Sequence, residues 1–456
     1  MASNILLYEG SVTTDLRPQI NEICDVLVVG GGAAGVAAAH TAARQGLDVL
    51  LLEKYGFCGG GAVAGLSGTV CGMYHATDRR EAAPSQVVFG FLDTFMSAMR
   101  LRGGIGDAIK YGKTFTHVHD PLIWRETADA LLQEVGVRVM LHTTVTQVIL
   151  DGGERLGGVI AYTKEGALNV RAKVTIDASG DADLMAMAGF GVTIGDHGKV
   201  QNPTMIFRLQ GVDVDRFLSA YGSDTIMPVA VSEMIRSANA DGKYHLPRQK
   251  IWMFPTTRPG ELLCNCTRIV GPDGRELNAV IAQDFTDAEV EGRKQVREYA
   301  RFFRECLAGC ENSFVNDTGV QVGVRQTRQG VGQTTLRNSD VSRGVKNQDG
   351  IALSPWPIEL HTGEKPVVNW LLDDHYEVPF GCFVPARGVD LLFAGRCLSA
   401  EHEAVASARV TAQCFAYGHA IGHAAALAVQ ESMHPHQFLG RDLRAILNRD
   451  GARLDS

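Results

Sequence analysis

The chain of 456 residues carries 43 Lys and Arg against 51 Asp and Glu, a formal net charge of −8, with 45% hydrophobic and 21% charged residues. That balance fits an ordinary globular protein with room for two cores, and an acidic chain without a basic block argues against a nucleic-acid partner. Ten irregularly spaced cysteines make no disulfide framework, no apolar run is long enough for a transmembrane helix, and MASNILLYEGSVTTDLRPQ lacks the basic and apolar regions of a signal peptide, so the cytoplasm is the expected compartment.

Residues 1–22 read as a leader, with a short strand anticipated at Ile5–Tyr8. The apolar run Val26–Val29 is too brief for a helix and suits a buried parallel strand. Gly30, Gly32 and Gly35 follow with G-x-G-x-x-G spacing and open an alanine-rich helix that reaches about Gln45, where Gly46 supplies a left-handed stop. A second strand, Val49–Leu52, ends on Glu53. In this arrangement Gly30 makes a tight turn, Gly32 lets backbone N–H groups approach a pyrophosphate, and Gly35 lets helix and strand pack closely. The helix N-terminus supplies positive charge for phosphates, and Glu53 stands where an acid accepts hydrogen bonds from an adenosine ribose. Strand, glycines, helix, strand and acid in that order predict a dinucleotide site.

Gly59–Gly61 permit a further close approach of backbone to ligand. Residues 85–110 carry a helical pattern (Val87, Phe91, Leu92, Phe95, Met96, Met99) and then a glycine-rich turn, and Asp120-Pro121 begins a helix as N-cap and N1 proline. A strand is expected around Val137–Leu141, followed by a three-run β signal at Thr144–Leu150, Leu156–Thr163 and Leu168–Ile176. The last run delivers TIDASGDAD and a short helix over Leu184–Ala188. Residues 196–380 form a different territory, with β-rich runs at Thr204–Gly211, Lys250–Thr256 and Leu262–Val270 and an amphipathic helix over Asp287–Leu307. The chain then returns to a buried strand, Val389–Ala394, a small-residue helix over Thr411–Gln430 and a surface helix over Leu439–Leu447. Gly180 lets the backbone pass the dinucleotide a second time, and Gly395-Arg396 offers a third approach. A helix over 403–428 would then point its N-terminus at a ring that becomes anionic on reduction. A C-terminal return of this kind suits a flavin better than NAD.

VVGGGAAGVAAAHTAARQG, LLEKYGFCGGGAVAG, TIDASGDADLMAMAG, GVRQTRQGVGQ, YEVPFGCFVP and LLFAGRCLSAEHEAVASARVTAQCFAYGHAIGHAAALA together resemble the FAD-dependent oxidoreductase family of the glutathione-reductase-like flavoprotein superfamily, in the branch that contains the flavin subunit of heterodisulfide reductase. The resemblance implies an α/β fold: a Rossmann-like FAD-binding domain over 22–195 and 381–430, with an insertion around 72–119, a β-rich α+β substrate domain over 196–380, and a C-terminal tail over 431–456. It implies that Glu53 binds the adenosine ribose, Gly60, Gly61 and Ala62 pass the pyrophosphate, and Val145 meets the adenine through its backbone. Gly395, Arg396 and the turn from Ser407 to Arg409 are expected near the flavin ring or ribityl chain, and Ala34, Lys54, Ser179 and Gly180 complete the expected cofactor contacts. Two departures matter. Cys264-x-Cys266, in a predicted strand, and Cys306-x3-Cys310, on one face of a predicted helix, are too few to hold an iron–sulfur cluster. The C-x4-C pair of disulfide reductases is also absent, because Val63 stands where the partner of Cys58 would be.

Flavin chemistry moves a hydride to N5, usually with a base that takes a proton from the neighbouring atom. His402, beside Glu401 after the return strand, is the leading candidate, against a role that only caps the flavin-facing helix or hydrogen-bonds cofactor oxygens; His75, next to Tyr74, is the second, against an ordinary loop histidine. Arg325 and Arg328 either clamp a substrate carboxylate or form structural ion pairs. His117 and His119 share a strand face but have no third ligand, so no metal site is expected. The expected activity is an FAD-dependent dehydrogenase or oxidase acting on a small organic substrate at a CH–OH, CH–CH or CH–NH centre, with the electron acceptor open and a homo-oligomer allowed. The alternatives are a reductase fed by NAD(P)H or a protein donor, and a flavin-binding subunit of a larger redox complex.

Overall fold

The computed structural model describes residues 20–79, 81–361 and 366–455, so the strand anticipated at Ile5–Tyr8 lies outside the described residues. Its centre is a seven-stranded sheet ordered Arg138–Met140, Val49–Leu52, Ile20–Val29, Gly166–Asp177, Arg155–Thr163, Thr144–Asp151, with Leu391–Phe393 also joined to Gly166–Asp177. The first four strands are parallel, and the last two of that order form an antiparallel meander. Gly166–Asp177 is long enough to share one edge: Gly166–Arg171 pairs with the meander, while Thr175–Asp177 pairs in parallel with Leu391–Phe393.

Strand alternation sorts the apolar residues onto two faces. Val26, Val28 and Leu51 face a layer that includes the helices Ala33–Arg44 and Thr411–Glu431; Leu27, Leu50 and Leu52 face the meander and the short helix Asp183–Ala188. The two long helices meet backbone to backbone. A Cβ on Gly418 would lie 2.1 Å from the Ala34 carbonyl oxygen, and one on Gly422 would lie 2.6 Å from that of Ala38. The alanine and glycine content of both segments is therefore a packing requirement, because bulkier side chains would force the helices apart.

A second core belongs to residues 205–322. Trp252–Pro255, Glu261–Asn265, Phe207–Gln210 and Phe314–Thr318 make an antiparallel sheet in that order. The helix Ala282–Cys306 covers it with Tyr299, Phe302 and Phe303. This helix begins five residues before the expected Asp287, and Cys310 lies beyond its end, so Cys306 and Cys310 do not share a helical face. A further hairpin, Ile105–Tyr111 with Thr114–His119, occupies the stretch read partly as a turn. Its Tyr111 and Val118 pack with Trp252, Phe254, Leu263 and Trp356, which joins it to the second sheet. All ten cysteines are free, and among the described residues no helix is long and apolar enough to cross a membrane.

The C-terminal helix Gly440–Arg449 buries Leu443 and Leu447 in the main core, so only one of its faces is a surface. Just beyond it, Asp450 Oδ2 accepts hydrogen bonds from Nε2 of His419 at 2.8 Å and of His423 at 2.9 Å. These donors hold the Asp450 carboxyl below its ordinary range. A depressed folded-state pKa stabilises fully above the unfolded value of about 4 and is lost as pH falls through the folded one. Asp450→Ala is therefore expected to cost about 2 kcal/mol at neutral pH. The loss should shrink as pH falls below about 4, measured by denaturant titration across that range.

Candidate functional site

A single cleft of about 320 Å³ runs from the end of the central strands into the space between the two sheets. Its first section is a cradle of backbone. Gly30 sits at φ +104°, and a Cβ there would lie 2.4 Å from the carbonyl oxygen of Ala178. Gly32 caps the helix Ala33–Arg44, whose first turn contains no acid. A second short helix, Gly60–Val63, opens on the same side, and Gly60 packs so closely that its Cβ would stand 2.8 Å from Gly32 Cα. A Cβ on Gly61 would meet nothing within 4 Å, so the wall there is open space. Gly30, Gly32, Ala34, Gly60, Gly61 and Ala62 all line this section. Gly35 does not: it lies inside the helix, where a Cβ would be 1.8 Å from the Gly30 carbonyl oxygen.

At one end the cleft meets Glu53, Lys54, Thr143, Thr144 and Val145. The Glu53 carboxylate is 4% exposed and accepts from Gly31 N at 2.6 Å and Tyr55 N at 2.9 Å; burial pushes its pKa up against these donors. Cys58 is sealed under Gly31 and does not line the cleft, and burial raises its thiol pKa far above the ordinary value.

The second and third approaches form the middle. Ser179, Gly180, Asp181, Gly395 and Arg396 line the cleft together. Asp181 accepts from Thr327 Oγ1 at 2.6 Å and from Arg396 at 2.8 Å, while a second Arg396 nitrogen donates to Thr327 Oγ1 at 2.9 Å. This knot ties the loop after Gly166–Asp177 to the return strand. Arg328 completes it from outside the cleft, donating to the Asp181 carbonyl at 2.8 Å and pairing with Asp183. The helix expected over 403–428 is two helices, His402–Ala408 and Thr411–Glu431. The break falls at Val410, which is extended, and Arg409, Val410 and Thr411 line the cleft there. Ser407 is buried against Tyr376 Oη at 2.8 Å and the Trp356 carbonyl at 2.6 Å, away from the lining. His402 and His75 are also absent from the lining; His75 stacks on His375, with ring centroids 5.8 Å apart. His117 bonds Tyr74 Oη at 2.6 Å, and His119 packs on Trp124.

The far section is a buried polar chamber that sequence reasoning reached only through Arg325 and Arg409. Tyr111, Asn265, Arg325, Trp356, Glu359, His361 and Arg409 line it, with Ile206 and Phe254 as its apolar wall. Glu359 is 5% exposed and accepts from Tyr111 Oη at 3.0 and 3.2 Å. Arg248 stands behind the wall, with its guanidinium carbon 4.5 Å from the Trp252 ring centroid. It donates to Asn265 Oδ1 at 3.3 Å and to His361 Nδ1 at 2.8 Å. A guanidinium only donates, so His361 Nδ1 accepts, and the neutral imidazole carries its proton on Nε2, 3.6 Å from Glu359 Oε1. Burial, then the charges of Arg325, Arg248 and Arg409, hold the His361 pKa well below the ordinary value. The sequence did hold a signal for Glu359 and His361. Glu359 and His361 stand two apart at a β-rich run, the spacing that puts two side chains on one face.

The family model "FAD dependent oxidoreductase" matches residues 25–447. Digeranylgeranylglycerophospholipid reductase of Thermoplasma acidophilum is 27% identical over 214 residues, 45% of this chain and 52% of that protein; the chain thus matches about half of its length. A local match, 65% identical over 37 residues, links 8% of this chain to 6% of 4-oxocyclohex-2-ene-1-carboxylate 5-dehydrogenase of Sinomonas cyclohexanicum. Among solved structures, a geranylgeranyl bacteriochlorophyll reductase-like protein of Thermoplasma acidophilum superposes with a TM-score of 0.50 at 16% identity, covering 95% of this chain and 85% of that one, which is a likeness of fold.

Proposed function

The chain belongs to the FAD-dependent oxidoreductase family, and from that premise we propose that it is a dehydrogenase or oxidase that removes a hydride from a small organic substrate at a CH–OH, CH–CH or CH–NH centre. The observation that carries the reading is the continuity of the cleft, which joins a backbone cradle shaped for a dinucleotide to a buried polar chamber. The residues present fit FAD: glycines leave room where a Cβ would intrude, helix N-termini face the cradle, and Glu53 stands at the strand end. Glu53 would hold the ribose, Gly30, Gly32, Gly60, Gly61 and Ala62 the pyrophosphate, and Val145 the adenine. Gly395, Arg396 and Arg409 would lie toward the flavin, within a domain formed by 22–195 and 381–430; of the expected roof 196–380, residues 205–322 hold the second core, whereas Leu336, Ile351, Tyr376 and Phe380 pack into the main one. Bound FAD supplies a two-electron acceptor.

The chain supplies the proton chemistry. His361 is a poor base, because burial and then the neighbouring guanidiniums oppose a second ring proton; its Nε2–H serves as a fixed donor. Glu359 is the assigned proton acceptor, oriented by Tyr111 at 3.0 Å. The test is anaerobic bleaching of the flavin by candidate substrates and, separately, by NAD(P)H. Glu359→Gln should retain FAD and slow substrate-driven bleaching by about 10²- to 10⁴-fold. Bleaching by NAD(P)H alone, unaffected by Glu359→Gln, would instead make the protein a reductase.

A further inference from the structure

Three guanidinium groups converge on the far chamber, and one carboxylate faces them. Arg325 and Arg409 line the cleft, and Arg248 stands directly behind His361 and Asn265. Glu359 is the shared counter-charge of all three. Among the described residues none of the three makes an ion pair. Other enclosed arginines are ion-paired: Arg208 with Asp317 and Glu261, Arg396 with Asp181, and Arg444 with Glu377 and Asp455.

The hydrogen bonds are also incomplete. Arg325, 6% exposed, donates to the Asn202 carbonyl at 2.7 Å and more weakly to Asn265 Oδ1 at 3.4 Å. Arg409 makes one contact, 3.4 Å to Gln201 Oε1, and its Nε is buried without a partner. Trp356, 1% exposed and on the same wall, likewise keeps a buried Nε1–H without a partner. Buried donors left open are costly, and a buried positive charge without a counter-ion is costlier still. Guanidinium groups do not escape by losing a proton. The arrangement is reasonable only if something negative completes it.

We propose that the substrate is a small organic anion whose carboxylate seats between Arg325 and Arg409, with its apolar body against Ile206, Phe254 and Trp356. The planar forks of two guanidiniums suit a carboxylate, and the apolar wall demands a carbon skeleton that inorganic phosphate lacks. Arg248 is a positioning residue, acting through Asn265 and His361. This inference rests on the reading above, since it names the substrate class of the same chamber.

The test uses the full chain loaded with FAD and three probes of one shape: benzoate, benzamide and phenylphosphonate. Benzoate should perturb the flavin spectrum and raise the melting temperature, and benzamide should bind about tenfold more weakly or worse. Arg325→Gln should weaken benzoate by about tenfold or more with FAD content unchanged, and Arg325→Lys should lose less. Benzamide binding as well as benzoate would overturn the proposal, without reliance on any variant that might misfold. Tighter binding of phenylphosphonate than of benzoate would assign the trio to a phosphoryl group and overturn it too. Unchanged benzoate affinity with a lowered flavin potential in Arg325→Gln would mean that the arginines serve the reduced flavin, which also overturns it. If the protein retains no FAD, the proposed function fails by itself. The melting-temperature comparison of benzoate with benzamide still decides the present proposal.

Discussion

Gly30→Val should purify without flavin and lose about 3 kcal/mol or more of stability. Two independent costs act at this residue. Its φ of +104° is a conformation that a β-branched residue adopts only under strain. Its Cβ would also lie 2.4 Å from the oxygen and 2.7 Å from the carbon of the Ala178 carbonyl, both backbone atoms. No rotamer relieves a clash with backbone. Relief would require separating Ile20–Val29 from Gly166–Asp177, whose register runs to the pair Val29–Asp177 beside the cleft. Gly46→Ala is the control. It too has a positive φ, +83°, but its Cβ would meet nothing within 4 Å, so it should cost about 1 kcal/mol and keep its colour. The ratio of flavin to protein absorbance and a denaturant titration measure both variants; a yellow Gly30→Val protein would refute the cradle.

Asp177→Ala should be nearly as damaging, at about 3 kcal/mol. Asp177 is fully buried at the end of Gly166–Asp177. One oxygen accepts from Ser179 N at 3.1 Å and Ser179 Oγ at 2.6 Å, the other from Leu184 N at 2.8 Å and Met185 N at 3.2 Å. It therefore holds the Ser179–Asp181 turn and caps the helix Asp183–Ala188 at once. Alanine leaves the two helix N–H groups buried without acceptors. The loosened turn carries Asp181, so the knot with Arg396 and Thr327 should slacken, and flavin should dissociate more readily. Asp177→Asn keeps one good acceptor and should fall between. Denaturant midpoints and the rate of flavin loss on dilution distinguish the three proteins.

The dinucleotide half was readable because its signals are local. The strand Val26–Val29, the glycines, the cap Asp120-Pro121 and the meander all depend on neighbours close in sequence; the observed elements fall within a few residues of those expected, except that the first strand begins at Ile20, inside the stretch read as a leader. The polar chamber was legible only in fragments such as Arg325, Arg409 and the Glu359-x-His361 spacing, because its members come from distant segments. Tyr111 lies on a hairpin whose strands declare themselves only by packing on Trp252 and Phe254. Arg248 reaches His361 across 113 positions. Arg325 and Arg328 sit three apart, yet one enters the cleft and the other rivets the loop at Asp181 and Asp183. Sequence spacing alone offered no way to divide them. Likewise the histidines nearest the recognisable motifs, His402 and His75, stand outside the cleft, while His361 lines it from a segment without a motif.

The shared edge of Gly166–Asp177 has a consequence for the order in which the protein is made. Until Leu391–Phe393 emerges from the ribosome, the end of that strand beside the cleft has no neighbour on one side, and the helix Thr411–Glu431 that seals the sheet does not yet exist. Most of the chain must therefore wait, partly unsealed, for its final portion before a cofactor can be gripped. Such long-range closure is slow and leaves strand edges open to stray pairing. Nascent chains halted before Leu391 should be sticky and flavin-free, and riboflavin-starved cells should accumulate the completed but empty protein as aggregate.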